Sequence, residues 1–539
     1  MAASIPGNQT DLEKSETTAG RLENEPKEAL SRVHELEPQH VNYRLERWNQ
    51  PKINAYRYLS ALFTFVIMGM NDAAIGVSLS SNVGKLSNAC TGSNSICEDV
   101  RCSSFGTAVN LATKLEDYYD VNYTIISFVF LASFISCSAV AFLNNRIHMR
   151  FGQLGVAIIA PTCKIVTYVV ISIHPPYPVL PVITLLSSFG SSLQDGALNA
   201  WIGNMESANE MLGLLHGAYG LGAVISPIVA TAMVAKAGLQ WYTFFYVMVG
   251  GPITKANTSP FLQALGLTNA QLGLSVVELI LSPIFFRKAT GAAYRAAHVT
   301  SNEASGQSRT REALKSPVTW ICALFLLLYI GVEVSLGGWL VTFMLRVRNG
   351  EEFECGLVVT GFWLGITLGR VVLGFVTGKL GEKISIAAYI VICLGLVLCF
   401  WLIPNFVASA VFAGWLGFFL GPLFPAVVVV ATKLLPPRLH VSAIGFAAAF
   451  GGGGSAVLPF AIGAIAQAKG VQVLQPIALA ILAAILALWC MLPGGFRKSG
   501  LEDIQRKRDE GRAAAPRERE ATGLHGRMAR LRVRIFGTN

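Results

Sequence analysis

The sequence predicts an all-α membrane protein in which twelve transmembrane helices form two pseudo-symmetric halves of six. Three observations carry this. Apolar residues make up 53% of the 539 and charged residues 14%, with a mean hydropathy of +0.51, whereas soluble chains carry roughly 25% charge. The charge gathers at the two ends and the middle, leaving long, almost uncharged runs between. The stretches on either side of the charged middle repeat one another at a fixed spacing.

A helix needs roughly 20 apolar residues to cross the hydrocarbon core. Runs of that length lie near 56–80, 124–144, 153–174, 179–203, 211–235, 317–346, 356–376, 385–403, 406–432, 441–467 and 472–492, and a broken one lies within 241–287. They are numbered spans 1 to 12 in chain order. Residues 1–52 are polar and acidic, with no apolar core for a signal peptide, and read as a disordered cytosolic tail. The first half is 53–287, a cytosolic loop is 288–316, the second half is 317–495, and 496–539 is a basic cytosolic tail.

Orientation follows from Lys and Arg. Arg44, Arg47, Lys52 and Arg57 precede span 1, Arg146 and Arg150 join spans 2 and 3, Lys379 and Lys383 join spans 8 and 9, and Lys433 and Arg438 join spans 10 and 11. All fall on one side if both termini are cytoplasmic, while the loops after spans 3 and 9 carry no Lys or Arg, as the positive-inside rule expects. The loop after span 7, with Arg346 and Arg348 beside three glutamates, is the mild exception. The net charge of +10 therefore reads as a topology signal facing anionic lipid; without a basic stripe interleaved with aromatics it does not point to nucleic acid.

Other chemistries lack their motifs. The ten cysteines show neither metal spacing nor a disulfide framework. There is no phosphate-cradling loop with a lysine, no HExxH and no nucleophile elbow, so neither an ATP-driven pump nor an enzyme is expected, and no metal or cofactor.

The repeat can be followed by offset. Asn145 and Arg146 after span 2 correspond to Gly378 and Lys379 after span 8, 233 residues on. In span 5 Gly220 and Gly222 precede Pro227, and in span 11 Gly452 and Gly454 precede Pro459, 232 residues on. The chain here resembles the major facilitator superfamily, whose loop signature between spans 2 and 3 is matched by Ala141, Asn145, Arg146, His148 and Arg150, and in the second copy by Gly374, Gly378, Lys379, Gly381 and Lys383. Both copies lack the signature's acid. Asn145, Arg146, Arg150, Lys379 and Lys383 are the gating-loop residues this implies. Gly69 to Gly76 in span 1, Gln194 to Asn204 in span 4, Gly331 to Trp339 in span 7 and the glycines at 451–454 more narrowly resemble fungal facilitators related to fucose permeases.

Two stretches do not fit the repeat. Gly69 and Gly76 align with Gly331 and Gly338 at an offset of 262, so about thirty extra residues lie within 78–114. The stretch 250–271 interrupts span 6, whose flanks 241–248 and 272–286 together make 23 residues, the length of one crossing. Both can be encoded with donor-like splice sequences, and translated introns are the expectation; true loop insertions are the alternative.

An ionisable group at mid-bilayer costs about 3 kcal/mol on insertion scales, so Asp72, Asp195 and Glu333 each need a reason. The resemblance implies that Asp72 and Asp195, acids on spans 1 and 4, serve proton coupling and sugar binding, with Glu333 a further coupling candidate. The alternative is pairing with Lys164, His216 or Arg370. Asn71, Gln194, Asn199, His216 and Trp339 are candidate substrate-binding residues, since amides and an aromatic face suit a sugar's hydroxyl edge and CH face. The resulting expectation is a secondary transporter working by alternating access, with proton-coupled sugar uptake favoured, export of a fungal metabolite or drug as its rival, and a non-transporting membrane sensor as the alternative of another class. Its partners would be a small solute, protons and the bilayer, and it would act as a monomer in the plasma membrane.

Overall fold

The computed structural model describes residues 46–76, 119, 128–231, 233, 242–250, 273–298, 309–495 and 500–507. The stretches 78–114 and 251–271 lie outside the described residues. Among the described residues the chain is helical, without strands, and each of the twelve apolar runs coincides with helix. Span 1 is Lys52–Gly76, spans 2 and 3 share Phe128–Ser172, span 4 is Val179–Ile202 and span 5 Ala208–Thr231. Span 6 comprises Thr243–Val249 and Leu274–Phe286. Spans 7, 8 and 9 are Pro317–Val347, Glu352–Leu380 and Glu382–Leu402. Span 10 is Phe406–Leu420 and Leu423–Leu434, span 11 His440–Lys469 and span 12 Leu474–Met491. Seven of the described helices are long and apolar enough, by length and composition, to cross a membrane.

Local chemistry explains the breaks. Pro317 opens span 7 at its first turn, where the missing N–H costs nothing. Asn405 Oδ1 accepts from Ala408 N at 2.9 Å and caps span 10. Gly152, at φ 69°, divides span 2 from span 3 in a conformation that other residues rarely adopt. Span 6 is interrupted at one point: a Cβ on Gly273 would lie 2.1 Å from the Val249 carbonyl carbon, so its two pieces abut.

Packing repeats with the sequence. A Cβ on Gly222 would lie 2.1 Å from the Val66 carbonyl oxygen, joining span 5 to span 1. One on Gly454, 232 residues later, would lie 2.0 Å from the Leu327 carbonyl oxygen, joining span 11 to span 7. The halves meet along two seams. Gly217 and Gly220 of span 5 pack on Val371 and Thr367 of span 8, and Phe134 and Cys137 of span 2 pack on Gly453 and Gly452 of span 11.

The end bearing the basic loops is drawn together. Glu382 Oε1 accepts from Asn209 Nδ2 of the first half and from Lys433 Nζ, both at 2.7 Å. The Thr432 hydroxyl donates to the Gly203 carbonyl at 2.9 Å. Residues 46–51, assigned to the disordered tail by the sequence, are instead folded here: the Glu46 carbonyl accepts from Glu206 N, and Arg47 pairs with Glu206 at 2.6 Å. An exposed pair of this kind adds little stability, but it fixes the approach to span 1.

Candidate functional site

The first-half acids sit in different settings. Asp72 lies in the last described turn of span 1. Its Oδ1 accepts from Asn71 Nδ2 and its Oδ2 from the Tyr219 hydroxyl, both at 3.0 Å. Asn71 is buried and its Oδ1 accepts from the Tyr168 hydroxyl at 2.9 Å. Close glycine packing between spans 1 and 5 fixes this register, since a Cβ on Gly69 would lie 2.0 Å from the Tyr219 carbonyl oxygen. The Tyr219 ring also reaches the other half, with the Arg370 guanidinium 5.8 Å from its centroid.

Asp195 on span 4 is half-buried, and its Oδ1 accepts from Asn199 Nδ2 at 2.8 Å. Asn199 Oδ1 in turn lies 3.0 Å from His216 Nε2. With the amide nitrogen already donating to Asp195, the amide oxygen must accept, which places the imidazole proton on Nε2. The His216 ring packs against Phe65 of span 1 and, across the boundary between halves, Phe424 of span 10, with centroids 5.4 and 4.6 Å away. Hydroxyl, carboxylate, amide, imidazole and aromatic groups thus converge where the halves meet, the arrangement that a polar solute with apolar faces requires.

The remaining candidates fall elsewhere. Glu333 is buried and paired with Arg370 at 2.8 Å, as the pairing alternative foresaw. Gln194 has both amide atoms occupied inside the first half, its Oε1 accepting from Lys164 at 2.9 Å and its Nε2 donating to Glu278 at 2.7 Å. Trp339 donates from Nε1 to the Pro459 carbonyl at 3.1 Å, tying span 7 to span 11. Of the gating-loop set, Arg146, Arg150 and Lys379 are exposed and Asn145 is buried. Lys383 is buried too, donating to the carbonyls of Trp489 and Leu492 at 2.6 and 2.9 Å, so it caps the end of span 12 within its own half.

The sequence missed a fully buried ion pair. Lys164 on span 3 meets Glu278 on span 6 at 2.8 Å, both side chains at 0% exposure, and Thr64 donates to the same carboxylate at 3.0 Å. The sequence offers Lys164 as a partner for Asp72, Asp195 or Glu333. Its real partner lies in the interrupted span, where periodicity gives no register. Tyr219 is a second such residue: its place among Gly217, Gly220 and Gly222 puts it on the closely packed face of span 5.

The family model of the Major Facilitator Superfamily matches residues 349–534. Bypass of stop codon protein 6 of Saccharomyces cerevisiae is 26% identical over 465 residues, covering 81% of this chain and 82% of that protein. The glucose/mannose transporter GlcP of Bacillus subtilis is 22% identical over 347 residues, covering 63% and 78%. Among solved structures, the fucose:proton symporter FucP of E. coli is similar with a TM-score of 0.56 at 13% identity, covering 82% of this chain and 98% of its own. That likeness shows a shared fold. The match to the family model and these likenesses point to a transporter rather than an enzyme, with the apolar helices of a multi-pass membrane protein.

Proposed function

We propose that the protein carries a sugar across the membrane by alternating access, inward and in company with protons. The observation that carries this is the pair of first-half carboxylates: Asp72, held by Asn71 and Tyr219, and Asp195, held by Asn199. A carboxyl group at membrane depth can load and release a proton as alternating access opens it to one side and then the other, which is the role assigned to Asp72. Asp195 and His216 orient the substrate, with Asn199 holding the two in place, because a carboxylate and the bare imidazole Nδ1 accept from sugar hydroxyls while Phe65 and Phe424 offer rings to its CH face. The glucose/mannose and fucose:proton relatives favour a hexose. Glu333 serves to neutralise Arg370. The chain acts as a monomer in the plasma membrane with both termini cytoplasmic, on the Lys/Arg asymmetry of its loops.

The test is uptake by the purified protein in liposomes with glucose, mannose and fucose, with and without an inward proton gradient. At least one sugar should accumulate above equilibrium and leave when a protonophore is added. Transport indifferent to the gradient would remove the coupling, and no transport of any of the three would remove the hexose.

A further inference from the structure

Asn144 occupies an unusual position where spans 2, 4 and 11 meet. It is 0% exposed, yet neither its Oδ1 nor its Nδ2 finds a hydrogen-bond partner among the described residues. The amide is wedged between two glycines, one from each half. A Cβ on Gly196 of span 4 would lie 2.7 Å from Asn144 Nδ2, and one on Gly445 of span 11 would lie 2.6 Å from the same atom. The backbones themselves nearly touch, since the Gly196 Cβ would be 3.0 Å from Gly445 Cα. Gly196 follows Asp195 directly, so this junction lies beside the candidate substrate-orienting acid.

A buried amide with no partner destabilises the arrangement that buries it, because each unmet group has given up its hydrogen bonds to water. Drawing span 11 away from spans 2 and 4 at the basic-loop end would admit water to the amide and remove that penalty. We propose that Asn144 is a positioning residue for transport: by remaining unpaired while the halves are closed at the basic-loop end, it keeps that arrangement from becoming a trap and sets the closed-to-open ratio. Gly196 and Gly445 are the complementary part of the device, leaving just enough room for the amide when the halves close. The proposal rests on the alternating-access reading above but requires neither a proton nor a particular solute.

The test needs no substrate. Spin labels on cysteines placed at Phe151 and Leu380, exposed residues at the same end of the two halves, report their separation in lipid nanodiscs, in a background without the ten native cysteines. The unaltered junction should give a short and a long distance. Asn144→Leu, which keeps the bulk and removes the unmet groups, should shift the ratio toward the short distance by roughly tenfold. Gly445→Ala should shift it toward the long distance, and adding Asn144→Ala should reverse that shift by restoring room. If Asn144→Leu does not fold, Asn144→Ala alone still removes the unmet groups and should shift the ratio the same way. Two distances whose ratio is unmoved by either Asn144 variant would overturn the proposal. A single distance in every variant would overturn the alternating-access reading as well.

Discussion

Lys164 and Glu278 give the sharpest stability prediction. Both side chains are at 0% exposure, and the carboxylate accepts from Lys164 through both oxygens, from Thr64 and from Gln194, at 2.7 to 3.0 Å. Replacing Glu278 by Leu leaves an ammonium ion buried with only the Gln194 oxygen to satisfy it. Breaking one side of such a pair costs about 3–5 kcal/mol, whereas replacing both by apolar residues is often nearly neutral. Here the double replacement Lys164→Met/Glu278→Leu also strands the Gln194 amide and the Thr64 hydroxyl, at about 1–3 kcal/mol each. The double variant should therefore be less stable than the parent yet no worse than either single variant, with a coupling energy of about 2 kcal/mol or more. Titration of the purified protein with SDS in mixed micelles, followed by tryptophan fluorescence, measures all four forms. The single variants should lose roughly two to four powers of ten in the folding equilibrium. Additive losses in the double variant, or a Glu278→Leu protein as stable as the parent, would refute the claim that this pair must be kept or removed as a unit.

Three further outcomes are expected. Asp72→Asn keeps the shape and much of the hydrogen bonding but has no titrating proton, so gradient-driven accumulation should fail while exchange across the membrane survives; Asp195→Asn should instead weaken binding, raising the half-saturating sugar concentration several-fold. Deleting 251–272 joins Gly250 to Gly273, which already abut through Val249, and should leave membrane yield and monodispersity unchanged; deleting 78–114 should do the same, and loss of folded protein in either case would show that the stretch is integral. A cysteine at position 305 should resist an impermeant maleimide applied to intact cells and react after permeabilisation; labelling from outside would reverse the assigned orientation.

The sequence made the helices legible because a crossing requires a long apolar run, and such a run is a local property. The repeat was legible because Gly222 and Gly454 each face a carbonyl oxygen across a helix contact, where no larger residue fits. Pairings across distant spans were not. Gln194 looked like a substrate ligand until the Lys164 and Glu278 side chains claimed its amide, and Lys383 looked like a gate until its ammonium was found on the end of span 12. The loop signature drew attention to Asn145, whereas its neighbour Asn144 is the residue wedged at the seam; one helical position turns a side chain by about 100°, too fine a distinction for a motif.

The glycines fall into two mechanical kinds. Within each half several meet main chain at helix crossings: Gly69 on Tyr219, Gly222 on Val66, Gly190 on Ala160, Gly369 on Phe418 and Gly454 on Leu327, each facing a carbonyl oxygen. Backbone against backbone has no rotamer to change, so helices joined this way move as one piece. Between the halves the glycines mostly meet side chains: Gly217 on Val371, Gly220 on Thr367, Gly453 on Phe134 and Gly445 on Asn144. Those groups can turn and slide. On the proposed alternating access, the molecule is welded inside its halves and carried on bearings between them, and substitutions at Val371, Thr367 or Phe134 should change its speed while leaving the proposed substrate-orienting groups untouched.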